Sequence, residues 1–258
     1  MVPFTIASIA ALALAGVQGG QDEFKWHGKV PSGGAIEIRG INGSIHAAGT
    51  SGGEVEVAAK KHARKSDPAE VEIKVVEHSR GVTICAIYPS RRASRPNECL
   101  PGGGGHNETR DNDVEVDFEV RVPAGVRLVG ATVNGEVSAE SLDADVEATT
   151  VNGGVIVSTR GLVEAATVNG SITATMGRAD WKGPLEFTTV NGAITLTLPS
   201  GVGAELRAET VNGSIDSDFP VTVQGRVNPS RLRGTIGEGG RELSLTTVNG
   251  SIRLRKAS

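Results

Sequence analysis

The chain has 258 residues, 35 of them glycine, is only 3% aromatic, and carries a formal net charge of −4. That balance is too mild to point to nucleic acid or an anionic membrane surface. The scarcity of long helix-forming runs argues against a helical domain, and a thin β-structure filled with Val, Ile, Leu, Thr and Ala fits instead.

In chain order, Phe4 to Val17 is an apolar, small-residue run followed by Gln18-Gly-Gly-Gln-Asp22. The run is too short to span a bilayer and reads as the apolar region of a signal peptide. Ala13-x-Ala15 offers a cleavage site and Val17-x-Gly19 a second. No cysteine is nearby, which argues against a lipid anchor. Residues 1–20 are therefore assigned as a signal peptide. The mature chain is expected in the periplasm, at the cell surface or outside the cell, with no transmembrane span after cleavage.

Residues 21–258 read as one β domain, because no composition shift divides them. It has an irregular first part (24–88), a Pro/Gly-rich loop (89–113) and regular coils (114–258). In the first part Ala35-Ile-Glu-Ile-Arg39, Glu54-Val-Glu-Val57 and Val71-Glu-Ile-Lys-Val75 alternate as half-buried strands do. The basic run Lys60 to Lys65 reads as a solvated strand end before the Ser66-Asp-Pro68 turn. Gly49-Thr-Ser51-Gly-Gly53 matches a nucleophile-elbow string, but no helix follows it, so it is read as a turn. The histidines (27, 46, 62, 78 and 106) lack metalloprotease spacing and are assigned to the surface. Two cysteines in an exported chain imply a Cys85–Cys99 disulfide. Period-two alternation puts Cys85 on the outer face of its strand, where it can staple the following loop.

The dominant pattern is a five-residue phrase, Val/Ile-Asn-Gly-x-Ile/Val, which occurs seven times with its asparagine at Asn42, Asn134, Asn152, Asn169, Asn191, Asn212 and Asn249. A threonine precedes the last six copies. From Asn134 onward the asparagines stand 18, 17, 22, 21 and 37 residues apart, spacings typical of repeat architectures. Asn and Gly tolerate positive φ, so each copy is expected to be strand, corner, strand. The near-constant flanks favour an all-β, single β-solenoid in which each corner sits on its copy in the next coil. The alternative is an antiparallel β-meander with Asn-Gly hairpin turns. The wide last gap, with Gly234-Thr-Ile-Gly-Glu-Gly239, reads as a degenerate coil. Val168 and Ile172 are assigned to the interior, Glu164 to solvent, and an open edge is expected after Leu254.

Two features invite a functional reading. Asp143, Asp145 and Glu147, and also Asp216 and Asp218, recur two apart, so each set shares one face. A solvated outer face is the plain reading; calcium ligation or polysaccharide cleavage would require them to converge. The asparagine row can hydrogen-bond from coil to coil, or offer regular donors and acceptors to a glycan.

Val114-Glu-Val-Asp-Phe-Glu-Val-Arg-Val-Pro-Ala-Gly-Val-Arg-Leu128, Trp181-Lys-Gly-Pro-Leu185 and Glu242-Leu-Ser-Leu-Thr-Thr-Val-Asn-Gly-Ser-Ile-Arg-Leu254, with the repeated phrase, resemble the bacterial DUF4097 family of adhesin-like β-repeat proteins. The resemblance covers roughly residues 24 to 256. It implies a β-solenoid and a cell-envelope setting, and brings no catalytic residue, metal ligand or cofactor. The chain is thus expected to be no enzyme but an adhesin-like binding or scaffold module. Its partner is unknown, a cell-surface glycan or an envelope protein being the candidates. A carbohydrate-active β-helix enzyme and an envelope-stress component acting through a protein partner are the alternatives.

Overall fold

Alternating apolar and polar residues interrupted by short corners give two facing, mostly parallel sheets of eleven strands each. The computed structural model describes residues 16–18, 22–90, 95–223 and 228–257, with no α-helix among them. The assigned signal peptide lies outside the described residues except for the backbone of 16–18.

In chain order the first strands are β1 (Gly16–Gln18), β2 (Glu23–Gly28), β3 (Ala35–Arg39), β4 (Ile45–Thr50), β5 (Val55–His62), β6 (Glu72–His78), β7 (Gly81–Ile87) and β8 (Glu115–Pro123). Regular pairs follow: β9 (Arg127–Ala131) with β10 (Val137–Leu142), β11 (Val146–Thr149) with β12 (Val155–Thr159), β13 (Val163–Ala166) with β14 (Ile172–Met176), and β15 (Leu185–Thr188) with β16 (Ile194–Leu198). The last stretch holds β17 (Ala204–Glu209), β18 (Ile215–Ser217), β19 (Val221–Thr222), β20 (Arg231–Ile236), β21 (Glu242–Thr246) and β22 (Ile252–Lys256).

Each regular coil gives one strand to each sheet, and the parallel register stacks like on like. Val137 pairs with Val155, Val155 with Ile172, Ile172 with Ile194 and Ile194 with Ile252, all fully buried between the sheets. Burying a Val or Ile side chain is worth about 1.5–3 kcal/mol, so this column and its counterpart through Leu128, Val146 and Val163 hold the coils together. The solenoid is the architecture. Meander-like antiparallel pairing is confined to the ends, in β1/β2, β2/β5, β5/β8, β6/β7, β17/β20 and β19/β20.

Sequence order and spatial order part company at both ends. Near the start β8 lies between β5 and β4, and β7 lies beside β3. At the far end the coil β21–β22 is inserted between β15–β16 and β17–β18. Core chemistry explains the insertion. β22 offers Ile252 and Leu254, both fully buried, whereas β18 offers only half-buried Ile215 and Ser217. An interior coil with Ser217 at a core position would bury an apolar-poor strand; at the terminus that cost is small. Arg255 of β22 also meets Asp216 at 3.0 Å and Asp218 at 2.9 Å.

Two expectations are corrected here. Gly234 to Gly239 is no degenerate coil, since β20 runs antiparallel along β17 as an edge cover. The open edge is not after Leu254, because β22 is interior and β18 is the outermost strand of its sheet.

Candidate functional site: the repeated corner

The corner is built by continuing the strand's alternation one residue further than expected. The threonine before each phrase is buried, while Val133, Val151, Val168, Val190 and Val248 are 37–39% exposed and terminal Val211 is 67% exposed. Val168 therefore faces solvent, contrary to its assignment to the interior; Ile172 is fully buried. The valines form one outward stripe. Only Ile41 of the first copy is buried, at 6% exposure.

The threonine recurs because its hydroxyl has a fixed partner. Thr150, Thr167, Thr189 and Thr247 donate to the carbonyls of Gly135, Gly153, Gly170 and Gly192 in the neighbouring coil at 2.8–2.9 Å. Thr210 does the same to Gly250 at 2.8 Å. A buried hydroxyl so paired is satisfied, and an apolar isostere would leave that carbonyl short of a donor.

Glycine is required by close approach, not by dihedral angle. A Cβ on Gly153, Gly170, Gly192 or Gly250 would lie 1.9–2.0 Å from the carbonyl oxygen of the next corner's glycine. Among the corner Asn and Gly residues only Gly43 has positive φ, at 111°. The positive-φ reading of the phrase is thus replaced by a steric one: the coils stack backbone on backbone.

Asparagine completes the corner. The Nδ2 of Asn134 donates to the Oδ1 of Asn42, and the pattern continues through Asn152, Asn169 and Asn191 to Asn249 and then Asn212, each bond 2.7–2.8 Å. All six bonds point the same way, so the amides are fixed and aligned along the rod. At the proximal end Asn42 Nδ2 donates to Val114 O at 3.4 Å, and the Tyr88 hydroxyl donates to the same carbonyl at 2.8 Å and accepts from Asn42 N at 3.3 Å. Burial pushes the Tyr88 phenol up to about 12. Sequence reasoning missed Tyr88, whose only signal was an isolated aromatic after a strand.

The two sets of carboxylates lie on different coils and are each held by arginines. Asp143 and Asp145 sit at the opposite corner, paired with Arg160 at 3.3 Å and Arg178 at 3.7 Å, while Glu147 on β11 is held by Arg127. Asp216 and Asp218 of the distal coil share Arg255 of the inner neighbour β22. No group of three His, Cys, Asp or Glu side chains that would hold a metal ion occurs among the described residues. His27, His46 and His62 are exposed and His78 and His106 half-buried. Along the outer face Glu147 and Glu164 are direct register neighbours. Partial burial, then repulsion from Glu147, raises the Glu164 carboxyl above its ordinary value. Cys85 and Cys99 are joined, with their Cα atoms 5.8 Å apart, and both are buried beneath the loop they pin.

The model of the family described as Toastrack DUF4097 matches residues 111–255, more than half of the chain. The chain belongs to the DUF4097 family. The match covers the coils that carry six of the seven asparagines, and residues before 111 lie outside it. Two solved structures resemble the DUF4097 chain over most of its length. One is a candidate cell adhesion protein from Clostridium sporogenes, 12% identical, covering 91% of this chain and 99% of that one with a TM-score of 0.48. The other is a candidate adhesin from Bacteroides fragilis, 11% identical, covering 94% and 100% with a TM-score of 0.35. No curated protein matches the sequence.

Proposed function

We propose that the chain is an exported, non-catalytic β-solenoid acting at the bacterial cell envelope as an adhesin-like binding or scaffold module. The observation that carries this reading is the outward Val-Asn ridge: evenly exposed valines beside amides locked in one ladder. Coils repeat at about 4.8 Å, so a linear polymer lying along the rod meets the same group again and again. Individually weak contacts then add through avidity. The buried disulfide supports an oxidising compartment. The dispersed, arginine-paired carboxylates weigh against the carbohydrate-active alternative, whose acid and base must flank one bond.

The test is binding of the mature protein to a panel of envelope polysaccharides, with and without Ca²⁺, alongside a Val151→Ser, Val168→Ser, Val190→Ser variant of unchanged melting behaviour. Binding without turnover, lost in the variant, supports the ridge as the adhesive surface. Cleavage of any polysaccharide sinks the non-catalytic reading. Binding only to an envelope protein would favour the partner-mediated alternative.

A further inference from the structure

A second surface lies away from the ridge, where the disulfide-pinned loop overhangs the outer face of the sheet carrying β3, β9 and β11. It is a cleft of about 640 Å³, a size that suits small-ligand sites. Its walls include the Pro31–Gly34 turn, the β6–β7 turn and Gly102–Gly103 of the loop. Its titratable groups are Glu37, Arg39, His78, Arg80, Arg127 and Glu147.

The loop wall is built, not incidental. Glu37, only 7% exposed, accepts from Gly102 N at 2.9 Å and from Thr83 Oγ1 at 2.8 Å through one oxygen, and meets Arg39 Nε at 3.3 Å through the other. Cys85–Cys99 ties the same loop to β7. His78 accepts from Arg80 N through Nδ1 at 3.3 Å and lies 3.3 Å from Thr83 Oγ1 through Nε2, joining the β6–β7 turn to this network.

The cleft's unused hydrogen-bonding groups define the ligand chemistry it suits. Both Glu37 oxygens are occupied, and Glu147 is engaged by Arg127. Arg39 uses Nε for Glu37, leaving its terminal nitrogens, and Arg127 uses one Nη, leaving the rest of its fork. Arg80 is exposed and has no carboxylate partner among the described residues. Glu147 meets Arg127 through Oε2 only, yet three arginines face two carboxylates that each already hold a guanidinium, so the cleft keeps a surplus of charged N–H donors. No Phe, Tyr or Trp lines it, so a neutral sugar would lack the broad stacking face such rings offer. A group that only accepts, and can be gripped by guanidinium forks, is complementary.

We propose that this cleft binds the oxyanion, carboxylate or phosphate, of an acidic polymer. The assignment is independent of the ridge. The experiment is calorimetric titration of the mature chain with oligogalacturonate, a polyglycerol-phosphate oligomer and a neutral dextran oligomer. Arg80→Ala and Arg127→Ala are compared with Arg160→Ala, an exposed arginine outside the cleft, and with the triple valine variant. One or both acidic oligomers should bind and dextran should not; which one binds tells carboxylate from phosphate. Arg80→Ala and Arg127→Ala should each weaken binding by on the order of tenfold, the cost of a lost charged hydrogen bond. Arg160→Ala and the valine variant should bind as the wild type does. Absence of binding by both acidic oligomers, or equal losses in Arg160→Ala and Arg80→Ala, would overturn the proposal.

Discussion

The middle coils and the two ends solve different problems with the same chain. From β9 to β16 every coil stacks on its predecessor, and the same corner chemistry of buried Thr, outward Val, laddered Asn and side-chain-free Gly joins each coil to the next beside the strand ladders and the apolar columns. Such a stack has no natural stopping point, and an open parallel edge invites further pairing. The ends stop it by breaking order. At the proximal end β8 turns the pairing antiparallel, Cys85–Cys99 pins the loop to β7, and the Tyr88 hydroxyl holds the main chain of Asn42, where the amide ladder starts. At the distal end an apolar-poor coil is displaced outward and its sheet partner is covered by antiparallel β20. Uniformity makes the repeated surface; irregularity confines it.

The largest effect should separate inside from outside within one corner. Ile172→Asp places an unpaired carboxylate between the sheets and should cost several kcal/mol, enough to unfold the neighbouring coils. Val168→Asp, four residues away and exposed, should cost within about 0.5 kcal/mol. Thermal melts decide it; equal losses would mean the corner is drawn inside out.

Next comes the proximal closure. Replacing Cys85 and Cys99 by Ser should lower stability by about 3 kcal/mol in the chain-entropy model. Hydrogen exchange should show the loss in β3, β6 and β7 rather than in β12 to β16, and a uniform loss would contradict two separate regimes. Tyr88 gives a pH signature. Because the Tyr88 phenol is raised from about 10 to about 12 by burial, its contribution is complete below pH 10 and disappears as pH rises through 12. Tyr88→Phe should remove that alkaline step, monitored by phenolate absorbance and melting.

The smallest effect belongs to the outer face of the middle coils. The Glu164 carboxyl is raised, so its neutral form favours the fold; this contribution is full below the ordinary carboxylate range and lost as pH rises past the raised value. Glu164→Gln should therefore raise the melting temperature slightly at neutral pH, as removal of a like-charge register neighbour does. A lower melting temperature would mean the row is held by cations instead.

Much of the middle was legible beforehand, because spacing and constant flanks require each residue to sit on its copy. The face of the phrase was not legible. Thr and Val are both β-branched, and only the carbonyl of the neighbouring coil shows why Thr turns inward. Nor was the order of the last coils. Thr210 to Ile215 and Thr247 to Ile252 are the same six residues, Thr-Val-Asn-Gly-Ser-Ile, so the phrase cannot rank them. The deciding residues come just after it, Ser217 against Leu254. Glu37 looked like one more outward residue of an alternating strand, since its loop partners lie far along the chain.

The claim that the ends are closed out of order is best tested by cysteine pairing between β16 and its neighbours. Thr195 is the direct register neighbour of Arg253, while Asp216 is one strand further out. The account predicts that Thr195→Cys with Arg253→Cys cross-links with a reagent spanning one strand spacing, about 5 Å, and that Thr195→Cys with Asp216→Cys, about 10 Å apart, does not. Cross-linking of Thr195→Cys to Asp216→Cys in preference would contradict it, restoring coils stacked in sequence order and an open edge at the C-terminal strand.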